Sequence, residues 1–204
     1  MEYKKIRIDV YLRKNTKAIK THLAIKPNMK HTLTLTQDDY LTHQLYESST
    51  NPLRSSKRKR DYIVLVICGI ICTIASSSGD KPIFIIVATI SAAVIIFGKT
   101  YLRQKYKNHF ARHVVLTYKG FFNEPLEIEI TADTILMSEK TGESTVKISE
   151  IKQVSEIPDH FLITISTGAT LIIPKTSPSF NQEIREMARR EHILFLNELN
   201  WKWR

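Results

Sequence analysis

The fold of this chain is decided by two uncharged apolar runs, YIVLVICGIICTIASSSG (Tyr62–Gly79) and PIFIIVATISAAVIIFG (Pro82–Gly98). Only Asp80 and Lys81 separate them. Each run approaches the length of about 20 apolar residues that a helix needs to cross a bilayer. Neither run contains an Asp, Glu, Lys, Arg or His. We therefore predict a two-helix transmembrane hairpin over residues 61–98.

Basic residues flank this hairpin on both outer sides, whereas the turn between the runs carries one positive and one negative charge. Because Lys and Arg are enriched on the cytoplasmic side of membrane helices, this charge distribution predicts two spans with both termini in the cytoplasm. Juxtamembrane cations also attract anionic lipids, by about 1 kcal/mol each. The predicted membrane-surface contacts are Arg54, Lys57, Arg58, Lys59, Arg60, Lys99, Arg103, Lys105, Lys107 and Arg112.

The chain ends in the aromatic and cationic sequence Trp201-Lys202-Trp203-Arg204. Tryptophan is enriched at the headgroup level of membranes. We therefore predict Trp201 and Trp203 as further membrane-surface residues. Packing of this segment on the sheet and fraying in solvent are the alternatives.

The net charge of +10 is unevenly distributed along the chain. Residues 1–60 hold 14 Lys and Arg against 5 Asp and Glu, and residues 61–113 hold 6 against 2. Residues 114–204 hold 10 against 13 and are mildly acidic. Membrane topology and lipid attraction account for a basic excess in these places, so we do not predict a nucleic-acid partner.

We predict that residues 1–60 form a cytosolic unit of strands and one helix. Apolar and polar residues alternate over Lys5–Leu12 and again over His31–Thr36, which predicts two half-buried strands. Thr36, followed by Gln and two aspartates, predicts a helix N-cap, and Pro52 interrupts that helix.

We predict a basic juxtamembrane helix over residues 99–113, which extends the second span. We predict a separate β-rich domain over residues 114–204. Short alternating segments such as Leu126–Ile130 and Phe161–Ile165 are joined by hairpin-sized turns. This spacing favours an antiparallel sheet or a small barrel.

The last predicted element is an amphipathic helix with a capping box from Ser179 to Gln182. Phe180, Ile184, Met187 and Leu194 lie on one face of this predicted helix. Such a helix would close an open face or end of the sheet. The predicted fold class is therefore an α+β membrane protein.

The residues that most often carry chemistry form no catalytic pattern here. Cys68 and Cys72 share one face of the first span, and we predict that they pack as small residues against Ala88 and Ala92 of the second. The pair His109 and His113 lacks a third metal ligand. We predict no enzymatic activity, no cofactor and no bound metal.

Three short runs carry a resemblance to a known family: LTQDDY (Leu35–Tyr40), ISEI (Ile148–Ile151) and IIPK (Ile172–Lys175). With the hairpin between them, the chain resembles the YcxB-like family of bacterial membrane proteins. Lys147 stands where the family often places a Trp. The resemblance implies the bacterial cell membrane and a pleckstrin-homology-like fold for residues 114–204, and it implies no defined activity.

The expected function is that of a membrane-anchored, non-catalytic interaction module. Its pleckstrin-homology-like domain would face a protein partner or anionic lipids at the cytosolic membrane surface. The alternative is an immunity protein that protects the cell from a membrane-targeting or secreted toxin. The hairpin is compatible with a monomer or a homo-oligomer.

Overall fold

The computed structural model describes residues 30–140 and 142–203, so the predicted strand Lys5–Leu12 lies outside the described residues. Strand β1 (Lys30–Thr34) comes first. Three helices follow it: α1 (Gln37–Thr50), α2 (Pro52–Ser76) and α3 (Lys81–Tyr118). The remaining elements are β2 (Pro125–Ile130), β3 (Thr134–Glu139), β4 (Gly142–Lys147), β5 (Ile151–Glu156), β6 (His160–Ile165), β7 (Thr170–Pro174), helix α4 (Pro178–Arg190) and β8 (Leu194–Asn197).

The first sheet joins residues from both sides of the hairpin. Its strand order is β1-β2-β3-β4, and each neighbouring pair is antiparallel. Leu33 of β1 lies opposite Leu126 of β2, and both are buried as a period-two strand requires. The sheet thus combines parts of the predicted units 1–60 and 114–204.

The second sheet has the order β7-β6-β5-β8, and its β5–β8 pair is parallel. The prediction that Leu194 lies on the last helix is therefore wrong. Helix α4 ends at Arg190, and His192 adopts a positive φ of 54° that no α-helix continues. The chain then turns back, and Leu194 begins β8 opposite Gln153 of β5.

The start of α4 also differs from the predicted capping box. The N-cap is Ser177, whose Oγ accepts a hydrogen bond from the backbone N–H of Phe180. Pro178 occupies the first helical turn, where its missing N–H costs nothing. Gln182 instead donates to Glu186 on the next turn of the same helix.

Both sheets and α4 share one hydrophobic core. The predicted apolar face of α4 is confirmed over Phe180, Ile184 and Met187, which are all buried. The chain is therefore an α+β protein in which a late helix covers two sheets. The fully buried side chains of this core include Ile128, Ile135, Val154, Ile157, Phe161, Leu162, Ile163 and Ile173.

Helix α1 is tied to the core through its first turn. Thr36 is the N-cap, as predicted, and it forms a capping box with Asp39. The other carboxylate oxygen of Asp39 lies 2.6 Å from Nε2 of His160 on β6. On β1, Nε2 of His31 lies 3.1 Å from the Glu183 carboxylate on α4.

The Asp39 contacts predict acid sensitivity. Burial raises the pKa of Asp39, but hydrogen bonds from His160 and Thr36 outweigh that effect and hold it below its ordinary value. A carboxyl whose pKa is lowered by folding stabilises the native state fully above its unfolded pKa, which is near 4. This contribution is lost as the pH falls through the lower pKa of the folded state. We expect the free energy of unfolding of Asp39→Asn to fall less steeply with acid than that of the wild type.

Denaturant unfolding of the detergent-solubilised chain between about pH 3 and pH 7 measures this difference. Asp38→Asn is the control, because it removes an exposed carboxylate from the same helical turn. Equal acid dependence in the wild type and Asp39→Asn would contradict the inference that the lowered pKa of Asp39 makes the fold sensitive to acid.

Helices α2 and α3 form an antiparallel pair around a small polar centre. Ser91 Oγ donates to the Gly69 carbonyl oxygen at 3.0 Å. Thr73 Oγ1 lies 2.9 Å from that carbonyl oxygen and 3.0 Å from Ser91 Oγ. Nearer the start of α2, the Tyr62 hydroxyl donates to the Ile95 carbonyl oxygen at 2.9 Å. These three hydroxyl groups therefore link the two helices.

The predicted packing of the two cysteines is wrong. Cys68 and Cys72 are exposed on the outside of the helix pair, as is Ala92. Gly69 occupies the contact instead, and a Cβ there would lie 3.6 Å from Ser91 Cβ. Successive residues of a helix are about 100° apart around its axis. The side chain next to a contact residue in sequence can therefore point to the exterior, as that of Cys68 does beside Gly69.

The exterior of the helix pair is apolar and exposed. By length and composition, one helix among the described residues, Lys81–Phe121, is long and apolar enough to cross a membrane. The uncharged part of α2 spans Tyr62–Ser76, about 22 Å of helix, because residues 77–80 form the turn. Large side chains exposed on the two helices include Ile63, Val64, Ile67, Ile70, Ile71, Ile74, Ile83, Ile85, Ile86, Ile90, Ile96 and Phe97.

Candidate membrane-surface site

The apolar exterior of the helix pair ends in a band of basic residues. Helix α3 continues without a break from its apolar part through Lys99 to Tyr118, which confirms the predicted helical extension. Nine of the ten predicted basic contacts have exposed side chains. The exception is Arg58 of α2, which is partly buried.

Both C-terminal tryptophans pack against protein. Trp203 is 8% exposed and contacts Leu41 and Leu45 of α1. Trp201 donates from Nε1 to Ser49 Oγ at 2.9 Å. Trp203 is therefore buried within the fold rather than free on the surface, and its contact with the membrane surface stays a prediction. Packing is the observed alternative: Trp203 packs against α1, and Trp201 packs against both α1 and the core that the two sheets share.

Trp203 links the chain terminus to the base of the hairpin. The Arg58 guanidinium carbon lies 4.2 Å from the centre of a Trp203 ring, which is a cation–π contact. The Tyr106 hydroxyl of α3 donates to the Asp61 carboxylate of α2 at 2.5 Å. These contacts hold the start of α2, the middle of α3 and the chain terminus together.

A cavity of about 520 Å³ lies among these groups, and we call it the hairpin-base cavity. Its lining includes four cations and no carboxylate among the described residues. The cations are Arg58, Lys59, Lys99 and Arg103. Aromatic and aliphatic side chains form the rest of its wall, with Ser55: Tyr62, Ile63, Leu102, Tyr106 and Trp203.

Two buried donors at this cavity have no hydrogen-bond partner among the described residues. They are Nη1 of Arg58 and Nε1 of Trp203. Burial lowers the pKa of Arg58, and Tyr106 opposes that shift, yet a guanidinium remains charged at neutral pH. The site therefore offers positive charge to an anion, and two of its lining residues hold buried, unsatisfied N–H groups.

Sequence reasoning found the cations of this cavity but not the cavity itself. Arg58 and Trp203 were both predicted as membrane-surface residues, without a contact between them. They are 145 positions apart in the chain, so no local spacing brings them together. The aromatic and cationic composition of the C-terminus was the only available signal.

The other titratable clusters act as structural links. Glu156 is buried and accepts two hydrogen bonds from Arg185 of α4, at 2.6 and 3.0 Å. Its pKa is lowered by Arg185, against the effect of burial and with help from Lys175 at 2.9 Å. This network fixes α4 to β5. Among the described residues, no group of three or more His, Cys, Asp or Glu side chains could hold a metal ion.

Among the described residues, one strand edge of the first sheet is open. Strand β4 stands at the end of the order β1-β2-β3-β4, and all but one of its six residues are exposed. The outer backbone groups of an edge strand can pair with a strand from another chain.

Comparison with protein-family models matches residues 130–178 to the YcxB-like protein family. The match runs from the end of β2 to the start of α4, and it includes the ISEI and IIPK runs. The predicted resemblance is confirmed over these residues. A comparison with curated proteins found no match to this chain.

Proposed function

We propose, from the YcxB-like match of residues 130–178 and the helix pair that precedes it, that this chain is a membrane-anchored, non-catalytic interaction module. In this proposal α2 and α3 both cross the bacterial cell membrane, and both termini lie in the cytoplasm. The two sheets form a pleckstrin-homology-like domain at the cytosolic surface. The observation that carries the proposal is the exposed apolar exterior of the helix pair.

That exterior is unfavourable in water. Soluble monomers rarely expose contiguous apolar patches larger than a few hundred Å². In a bilayer the same surface contacts lipid, and helices satisfy their own backbone hydrogen bonds. The inward contact between Ser91 and Gly69 fits this setting, because small and hydroxylated residues are typical of membrane helix interfaces.

The pairing of β1 with β2 supports two crossings rather than one. Strand β1 precedes α2, β2 follows α3, and the two strands pair over five residues of each. Strands can pair only on one side of a membrane, so the chain between them must cross an even number of times. If α3 crosses, α2 must cross as well.

The short apolar part of α2 is compatible with this arrangement. About 22 Å of uncharged helix is less than the 30 Å hydrocarbon core. A short span is accommodated by local thinning of the bilayer and by flanking cations that extend toward the headgroups. Lys59 and Arg60 precede the uncharged part of α2, so they are placed to extend toward the headgroups at that end of the span.

Cysteine labelling tests this topology. The exposed Cys68 and Cys72 are first replaced by alanine. Ser78→Cys then reports on the hairpin turn, and Lys140→Cys reports on the turn between β3 and β4. In intact spheroplasts of a bacterial host, we expect a membrane-impermeant maleimide to label Ser78→Cys, and to label Lys140→Cys only after lysis. Equal labelling of the two sites before lysis would contradict the two-span topology.

The open edge of β4 supports a protein partner, and the basic band supports anionic lipids. A photo-crosslinking residue at Ser144 on β4 tests the first part, and one at Arg189, exposed on α4, is the control. A protein crosslinked from position 144 alone would support a partner at this edge. A toxin among the captured proteins would favour the immunity alternative, and no capture from position 144 would count against a protein partner there.

A further inference from the structure

We propose that the hairpin-base cavity binds the phosphate group of one anionic phospholipid from the cytosolic leaflet. This inference rests on the proposed membrane topology and goes beyond the general attraction of a basic band for lipid. It assigns a defined site with a fixed set of ligating groups.

The charge of the cavity selects an anion. Arg58, Lys59, Lys99 and Arg103 line it, and no carboxylate lines it among the described residues. The nearby Asp61 carboxylate is engaged by the Tyr106 hydroxyl. Arg and Lys form short, charge-assisted hydrogen bonds with phosphate oxygens, and these are about twice as strong as neutral ones.

The unpartnered donors point to the same chemistry. Nη1 of Arg58 and Nε1 of Trp203 are buried without a hydrogen-bond partner among the described residues. Leaving a buried donor unsatisfied costs about 1–3 kcal/mol. The Arg58 side chain is also held in place by its stacking on Trp203. Because both residues line the cavity, a phosphate oxygen bound there would satisfy these donors after a small side-chain rearrangement.

The position of the cavity selects a lipid over a soluble anion. Tyr62 begins the apolar run of α2, and Lys99 directly follows that of α3. The cavity therefore lies where the apolar exterior meets the basic band, at the expected headgroup level. Ile63, in its wall, is also exposed on the apolar exterior, so an acyl chain could continue along the helix pair. The volume of about 520 Å³ is within the usual range of small-molecule sites.

A matched pair of double variants tests the proposal in the full-length chain. Lys99→Gln with Arg103→Gln removes two cavity cations, whereas Lys57→Gln with Arg60→Gln removes one Lys and one Arg that do not line the cavity. The wild type and a third variant, Ser55→Glu, are measured alongside these two double variants. The Ser55→Glu variant places a carboxylate at the cavity, in the early part of α2, where an acid suits the helix dipole.

Each protein is reconstituted in nanodiscs that contain phosphatidylglycerol and phosphatidylcholine, and retained lipid is counted by native mass spectrometry. We expect one phosphatidylglycerol bound to the wild type and to the Lys57 and Arg60 variant. Loss of two charge-assisted hydrogen bonds should weaken retention by at least about tenfold in the Lys99 and Arg103 variant. Ser55→Glu should weaken it as well. Circular dichroism shows whether each variant keeps the wild-type fold.

Three outcomes would overturn the proposal. The first is equal loss of lipid from the two double variants, which would indicate general electrostatic attraction. The second is equal retention of phosphatidylcholine and phosphatidylglycerol by the wild type. The third is displacement of the lipid by millimolar inorganic phosphate, which would assign the site to a soluble anion. If the wild type does not enter the bilayer at all, the proposed membrane anchor is contradicted. That result is distinguishable from a loss of lipid selectivity in a protein that does enter the bilayer.

Discussion

Replacing Ile90 with lysine is expected to remove most of the chain from the membrane. Ile90 lies midway along the apolar part of α3, and 58% of its surface is exposed. A charged side chain at the centre of a membrane helix costs about 2.5–3.5 kcal/mol on insertion scales. The insertion equilibrium should therefore fall on the order of a hundredfold. In a water-facing helix the same change would be neutral or would improve solubility.

Alkaline carbonate extraction of membranes measures this effect as the fraction of protein that stays with the bilayer. Leu116→Lys is the matched control, because Leu116 lies on the same helix, is 85% exposed, and is beyond the apolar part. We expect the control to behave as the wild type does. If Ile90→Lys also stays in the membrane, α3 does not contact lipid at this position.

The second large effect is expected from Phe180→Ala. Phe180 is fully buried on the core face of α4. Its ring also stacks on His31 of β1, with 4.1 Å between ring centres. Truncating a buried Phe to Ala typically costs about 3–5 kcal/mol, through lost burial and the remaining cavity. Because the stacking joins α4 to the strand that precedes the hairpin, the variant should weaken the attachment of β1 as well.

Guanidinium unfolding of the detergent-solubilised chain, followed by circular dichroism, measures the free energy of unfolding. Phe121→Ala is the control, since it makes the same chemical change at a ring that is 45% exposed. Its expected cost is below about 1 kcal/mol. Similar losses in both variants would show that Phe180 does not have the core role assigned to it.

Features encoded by local periodicity were predictable from the sequence. The capping residue Thr36, the continuous α3 and the buried face of α4 each depend on residues within a few positions of one another. The hairpin turn was also recognisable. The strand β8 was not, because the turn at His192 and the parallel pairing with β5 depend on tertiary contacts.

The candidate site was only partly predictable, for the same reason. Charge and composition predicted Lys99 and Arg103 as membrane-surface cations. They could not show that Trp203 returns to α1 and covers Arg58. Sequence composition similarly favoured Cys68 as the small contact residue of the hairpin, whereas the helix rotation places Gly69 there.

The pairing of β1 with β2 has a consequence for biosynthesis. Leu33 and its partner Leu126 are 93 positions apart, and both proposed membrane helices are synthesised between them. During translation β1 therefore waits without its partner strand until α3 has left the ribosome. A chain that stalls with a single helix inserted would deliver β2 to the wrong side, and its first sheet would stay open. If both helices cross the membrane, the first sheet would close only in correctly inserted chains, and faulty chains would carry an unpaired strand for proteases to recognise.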